Sequence, residues 1–329
     1  MNSASDLMFM PGTGELTLEQ SIRLAATAFE QADLTYGHGT DNALDEAAWL
    51  IAHARGLSPL DVPDYAELIS AHERGAIDAL VRQRIESRTP AAYLTGRTWF
   101  AGHEFVCDAR ALVPRSPFAE FIARDFFGML DGKSEPRILD LCTGGGCIAI
   151  SAALARSDAH VDASDLSADA LALARENVAL HGLDERVHLL AGSVFDPIEE
   201  RYDLIMSNPP YVDAADVAAM SDEFRHEPAM GLGAGDDGMD IVAPMLAEAA
   251  SYLTDTGWLV VEVGNGAAAV EARWPELELV WLEFDGGGAG VFAVQRSDLA
   301  GGLSGGLSGG LSGGLSGGLS GGLSGGLSE

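Results

Sequence analysis

The chain has 329 residues, 47% hydrophobic and 21% charged, which is long enough for two domains and a sizeable buried core. Its three cysteines, Cys107, Cys142 and Cys147, are too few and too irregularly spaced for a disulfide framework or a zinc site, so no metal is expected. A formal net charge of −31, with Lys133 the single lysine, disfavours DNA as a partner and suits a basic protein, although adaptation to salt would leave the same composition.

Residues 1–15 lack the basic and apolar regions of a signal peptide, and no apolar run reaches the ~20 residues that span a bilayer, so a cytoplasmic protein without membrane binding is expected. Leu18, Ile22, Ala25, Ala26 and Phe29 recur at helical spacing. Asp41 or Asn42 would cap a second helix, with Leu44, Ala47, Ala48, Ile51 and Ala52 as its apolar stripe. A third helical pattern runs from about Ala66 to Ser87 and ends near Pro90. Residues 98–113 then alternate around Phe100, His103, Phe105 and Cys107, with Gly102 as a turn. This reads as a hairpin linker joining a helical domain, residues 1–97, to a second domain over 114–299.

In that second domain strands alternate with helices. Strands are expected at 137–141, 160–166, 187–190, 202–206 and 258–263, and helices at 148–155, 168–181 (capped by Ser167) and about 241–253. Such alternation predicts an α/β fold, a Rossmann-like parallel sheet covered on both faces. Two late strands, near 278–284 and 290–295, have only Gly286 to Gly288 to turn between them. They complete a seven-stranded sheet with an antiparallel last strand. Residues 300–329 are Gly-Gly-Leu-Ser repeats, too poor in apolar side chains for a core, and read as a disordered tail.

The first chemical signal is the glycine cluster after residue 141. Cys142, Thr143, Gly144, Gly145 and Gly146 lie where a strand turns into a helix, so the backbone can approach a ligand closely and helix-end N–H groups can face it. Asp140 precedes the loop and would support it. Asp165 ends the next strand, about twenty residues on, where an acid accepts ribose hydroxyls. The spacing Gly144-x-Gly146-x-x-Ala149 also fits a dinucleotide fingerprint, which leaves a nicotinamide dehydrogenase open at this point.

The second signal is Asn208-Pro209-Pro210-Tyr211, directly after the fourth strand, at the sheet edge that faces the ligand crevice. The prolines free their neighbours' carbonyls from ladder duty, Asn208 adds a side-chain carbonyl, and Tyr211 offers an aromatic face. Such a set can accept both N–H bonds of a planar NH₂ group. It would raise electron density on that nitrogen during in-line attack on a methyl sulfonium, with no metal or strong base. This favours S-adenosylmethionine over a nicotinamide as cofactor.

Taken together, the glycine loop, the acid after the second strand and NPPY after the fourth resemble the class I methyltransferases. The segments PAAYLTG (90–96), WFAGHEF (99–105) and LVPRSP (112–117) are similar to those of the glutamine N5-methyltransferases. That resemblance implies a helical N-terminal domain joined by a hairpin to a catalytic domain that methylates the side-chain amide of a protein glutamine. PRSPFAE (114–120), DLCTGGGCIAI (140–150), FRHEP (224–228) and WLEFDGGGAGVF (281–292) resemble the branch acting on the third large-subunit ribosomal protein, rather than the branch acting on release factors. The implied partner is a basic ribosomal protein, free or in a large-subunit precursor. The resemblance implies that Cys142 to Gly146 hold the methionine part of the cofactor, Asp165 its ribose, and Val194 its adenine. Asn208 would touch cofactor and amide, and Pro209 and Tyr211 would complete the amide pocket. Ser193 stands where the family carries an acid beside the adenine, and its hydroxyl could accept the same bond. Arg115 would brace the cleft, grip the substrate or form an interdomain salt bridge. Arg225 and His226, in the loop after NPPY, would grip the substrate or order the loop through local ion pairs.

Overall fold

The computed structural model describes residues 15–57, 63–235 and 237–300, so the repeat tail from residue 301 onward lies outside the described residues. The N-terminal part consists of β1 (Leu16–Thr17), α1 (Leu18–Gln31), α2 (Ala43–Ala54), β2 (Leu68–Ile69), α3 (Ala71–Ser87) and α4 (Ala91–Thr95). Thr17 and Gln20 form a reciprocal capping box at the start of α1, and the stripe Leu18, Ile22, Ala25, Ala26 and Phe29 is buried. Asn42 caps α2. The third helix begins later than its pattern suggested. Ser70 and Glu73 close a capping box there, and Leu68–Ile69 pair antiparallel with Leu16–Thr17.

The hairpin is β3 (Arg97–Phe100) with β4 (His103–Val106), antiparallel as expected. The larger unit follows with α5 (Phe118–Ala123), β5 (Arg137–Leu141), α6 (Cys147–Ala155), β6 (His160–Asp165), α7 (Ala168–Leu180), β7 (Val187–Ala191), β8 (Tyr202–Ser207), α8 (Ala214–Ala219), α9 (Val242–Tyr252), β9 (Leu253–Glu262), α10 (Ala267–Arg273), β10 (Val280–Trp281) and β11 (Val291–Gln295). Ser167 caps α7 by accepting from the Ala170 N–H. The seven-stranded sheet has the order β10-β11-β9-β8-β5-β6-β7, and β11 runs antiparallel between β9 and β10.

Alternate side chains of the central strands feed two cores. Ile138, Val161, Leu204, Met206 and Val260 join one core with α5 and α6. Leu139, Leu141, Ile205, Leu259 and Val261 join the other with α9 and α10. The order reverses at β5, flanked by β6 on one side and β8 on the other. This is the switch point where open parallel sheets bind ligands outside their carboxyl ends. Leu141 pairs in register with both Ser164 and Ser207, so the glycine loop, Asp165 and Asn208 leave the sheet at one level. Among the described residues no helix is long and apolar enough to cross a membrane.

Candidate active site

A cavity of ≈ 560 Å³ opens at this switch point, within the size range of small-molecule sites. Its floor is the glycine loop. Cys142, Gly144 and Gly146 all take positive φ, which turns the chain from β5 into α6. Cys142, Thr143, Gly144 and Gly145 line the cavity, whereas Gly146 sits one step back, packed against Ala174 and Ile150. Asp140 does not line it either. Fully buried beneath the loop, its Oδ2 accepts from the Thr143 hydroxyl at 2.6 Å and from the Ala149 N–H at 3.1 Å, tying the loop to the first turn of α6. Burial pushes its carboxyl up to about 7, only partly offset by those two bonds.

Asp165 closes β6 and faces the cavity. Its Oδ2 accepts from the Gly144 N–H and its Oδ1 from the Ser167 N–H, both at 2.8 Å, so the carboxylate is aimed by backbone and keeps lone pairs for a ligand diol. Burial raises its pKa, against the pull of those N–H bonds. Ser193 and Val194 line the adjoining wall, with Val194 in the left-handed region at φ 46°, and Leu166 flanks the same pocket. A backbone-lined loop, an aimed carboxylate and a partly apolar slot fit the methionine, ribose and adenine parts of S-adenosylmethionine in turn.

Asn208, Pro209, Pro210 and Tyr211 line the same cavity. Ser207 fixes their starting point by donating at 2.8 Å to the Leu141 carbonyl, deep between the two strand ends. Among the described residues none hydrogen-bonds the side-chain amide of Asn208, which leaves both its polar ends for ligands. The Tyr211 hydroxyl donates to Glu262 at 3.1 Å.

Arg115 lines the cavity but its charge is engaged. Its two terminal nitrogens donate to the two oxygens of Glu227 at 2.6 Å each, and its guanidinium lies 5.3 Å from the Phe224 ring centroid. Neither Arg225 nor His226 lines the cavity. Arg225 is exposed beside Asp222, and His226 donates from Nε2 to the Ser87 carbonyl at the end of α3. The loop reaches the cavity instead through Met220, Phe224, Pro228 and Met230, and two buried carboxylates hold it in place. Glu227 also accepts from the Val113 N–H. Glu223 pairs with Arg88 at 3.0 Å and accepts from the Thr35 N–H, while neighbouring Arg84 pairs with Glu46 at 2.8 Å. The helical part of the chain thereby anchors one wall of the site. Glu223 has no local signal in its polar loop. Glu262 does have one, an acid inside the apolar run 258–263.

Comparison with known proteins agrees with this geometry. Residues 124–272 match the methyltransferase small domain family, and residues 22–96 match the PrmC N-terminal domain. A ribosomal protein uL3 glutamine methyltransferase of Burkholderia pseudomallei is 45% identical over 297 residues, covering 86% of this chain and 95% of that protein. Its counterpart in Xanthomonas campestris pv. campestris is 46% identical over 288 residues, covering 86% and 92%. Among solved structures, the 16S rRNA N2 G1207 methyltransferase of T. Thermophilus shares 15% identity at a TM-score of 0.44 over 60% of this chain and 49% of that one, which bears on neither substrate nor mechanism. By identity and coverage, the chain belongs to the ribosomal protein uL3 glutamine methyltransferase family, an S-adenosylmethionine-dependent branch of the class I methyltransferases.

Proposed function

We propose that this protein transfers a methyl group from S-adenosylmethionine to the side-chain amide nitrogen of a glutamine in ribosomal protein uL3, the third large-subunit protein, and does so in the cytoplasm. The observation that carries the reading is that Asn208 to Tyr211 and the glycine loop line one cavity at the sheet's switch point. The acidic composition suits a basic client, free or in a large-subunit precursor.

When bound, S-adenosylmethionine supplies an electrophilic methyl whose transfer breaks one S–C bond, with the electron pair left on sulfur. The protein must make an amide nitrogen attack it. Cys142 to Gly145 and Asp165 hold and orient the methyl donor, with Asp140 and Gly146 supporting the loop from behind. Ser193 and Val194 shape the adenine end of the pocket. The Asn208 side-chain oxygen and the Pro209 carbonyl accept the two N–H bonds of the glutamine amide, and the Tyr211 ring covers its plane. Pro210 stiffens the turn that sets these groups. Held this way, the nitrogen's electron density turns toward the methyl, and positioning replaces a strong base. The methylated nitrogen then gives up one N–H proton to water. Residues 1–97, as a recognition domain, and the 98–113 hairpin would present the client. Arg115 contributes by fixing the loop after Tyr211, and Arg225 and His226 by facing the client outside the cavity.

The test is methyl transfer from labelled S-adenosylmethionine, with unmodified uL3 and unmodified release factors offered side by side and the label mapped by peptide mass. Label on a uL3 glutamine, abolished by Asn208→Ala even at saturating S-adenosylmethionine, is the expected result. Label on release factor alone would overturn the substrate, and label on neither would overturn the activity.

A further inference from the structure

Glu262 ends β9, where the apolar pattern calls for another aliphatic side chain, and is only 5% exposed. A carboxylate in that place is costly unless its oxygens are bonded. Both are. Oε2 accepts from the Ser116 hydroxyl at 2.6 Å and Oε1 from the Tyr211 hydroxyl at 3.1 Å. Ser116 and Tyr211 line the cavity, but Glu262 does not. It therefore acts on the site through those two hydroxyls or not at all.

Backbone contacts restrain Tyr211 as well. Val212 pairs with the 232–234 segment, and Gly238 lies so close to the Tyr211 carbonyl that no Cβ fits between them. Gly264 presses against the ring edge, where a Cβ would stand 2.6 Å from Cε2. These contacts hold the Tyr211 backbone and one edge of its ring, and the hydroxyl's bond to Glu262 holds the far end.

We infer that Glu262 is a positioning residue for methyl transfer: its carboxylate sets the tilt of the Tyr211 ring over the substrate amide and locks that ring to Ser116 of the segment entering from the hairpin. This rests on the proposed amide-methylating role of Tyr211. A carboxylate accepts from both hydroxyls at once, whereas on protonation one oxygen becomes a donor and its bond to a hydroxyl must reverse or weaken. Burial, outweighing the Ser116 and Tyr211 bonds and the nearby charge of Arg115, pushes the Glu262 carboxyl up to about 7. The charged and titratable groups around it are Arg115, already committed to Glu227, and Tyr211 itself.

The experiment compares wild type, Glu262→Gln, Tyr211→Phe and the double variant at saturating cofactor. Each variant is expected to lose about ten- to a hundredfold in kcat, as small misplacements do. The double variant should be no worse than the poorer single, and the S-adenosylmethionine Kd should stay within about threefold. The acid limb of the kcat profile near pH 7 should vanish in Glu262→Gln. A folded Glu262→Gln protein with kcat within about twofold of wild type, or losses that multiply in the double variant, would overturn the inference. A second readout needs no methyl acceptor. With tyrosine labelled by ¹³C at Cζ, the Tyr211 resonance, assigned through Tyr211→Phe, should shift between about pH 6 and pH 8 in wild type and stay fixed in Glu262→Gln. Indistinguishable resonances would overturn the positioning role, whatever the acceptor proves to be. A pH-dependent resonance in a protein that labels neither uL3 nor release factor would uphold the contact and refute the proposed reaction.

Discussion

Replacing Arg115 with methionine keeps a long side chain against Phe224 but strips Glu227 of its guanidinium partner. The Glu227 side chain has no exposed surface, and burial by itself raises its pKa. The partners on its two oxygens, Arg115 and the neighbouring His38, outweigh that burial and hold the carboxyl at about 2. Arg115 is the stronger of the two partners, at 2.6 Å to each oxygen, because His38 Nε2 at 3.7 Å is too far for a hydrogen bond. A fall from 4.5 to about 2, at ~1.36 kcal/mol per pH unit, corresponds to roughly 3 kcal/mol of native-state stabilisation. That matches the ~3–5 kcal/mol cost of orphaning a buried charge, and the 30% exposure of the arginine side chain points to the low end. Because the folded pKa is depressed, this stabilisation is complete above about pH 4.5 and is lost as pH falls toward 2. In Arg115→Met the sign reverses. Burial dominates, the carboxyl pKa rises, and the penalty grows as pH climbs. Urea unfolding followed by tryptophan fluorescence should show a loss of roughly 3 kcal/mol at about pH 8 that shrinks at about pH 5. A loss under about 1 kcal/mol at the higher pH, or equal losses at both, would refute Arg115 as the principal counter-ion.

Two further outcomes follow from the glycine loop. Asp140 has its pKa raised to about 7, so its neutral form favours the fold below the unfolded value near 3.8, and that advantage disappears as pH rises through 7. The Tm of wild type should therefore drop between about pH 5.5 and pH 8, and Asp140→Asn should drop less, measured by calorimetry in matched buffers. An unchanged slope would show that the carboxyl does not titrate in that window. Gly146→Ala places a methyl 3.2 Å from both the Ala174 Cβ and the Ile150 Cδ1 at φ 83°. Strain of about 1–3 kcal/mol in the loop should weaken S-adenosylmethionine binding about tenfold, as titration calorimetry would register.

Much of the fold was legible because its causes are local. Asn42 and Ser167 cap helices through bonds reaching three residues ahead. The strands of the sheet stood out as apolar runs between turns. Where prediction and structure part, the cause lies far along the chain. The segment before α3 is a strand because Leu68 and Ile69 find Leu16 and Thr17, some fifty residues earlier. Strand β9 starts at Leu253 rather than 258 because Leu253 pairs with Tyr202 before the ladder resumes at Trp258. Helix α10, seven residues rich in alanine, buries only Val270 and presents no stripe to recognise.

The site divides along the same line. Asp140 and Glu262 are each an acid set in an apolar strand, RILDL and WLVVEV, and each lies at the carboxyl end of a strand beside the cavity. An acid in such a run costs folding energy, so its presence at the ligand edge signals a role in the site. Asp140 ties the glycine loop, and Glu262 ties the NPPY tyrosine. That signal is readable without a structure. Glu223 and Glu227 carry no such mark, since their surroundings in sequence are polar and an acid there is unremarked. They become buried only because Thr35, His38, Arg84, Arg88 and Arg115 converge on one loop from positions more than a hundred residues away. Hydrophobic periodicity records which face of an element turns inward, but not which distant charge will meet it there. The wall of a site built from such meetings therefore appears only once the chain has folded.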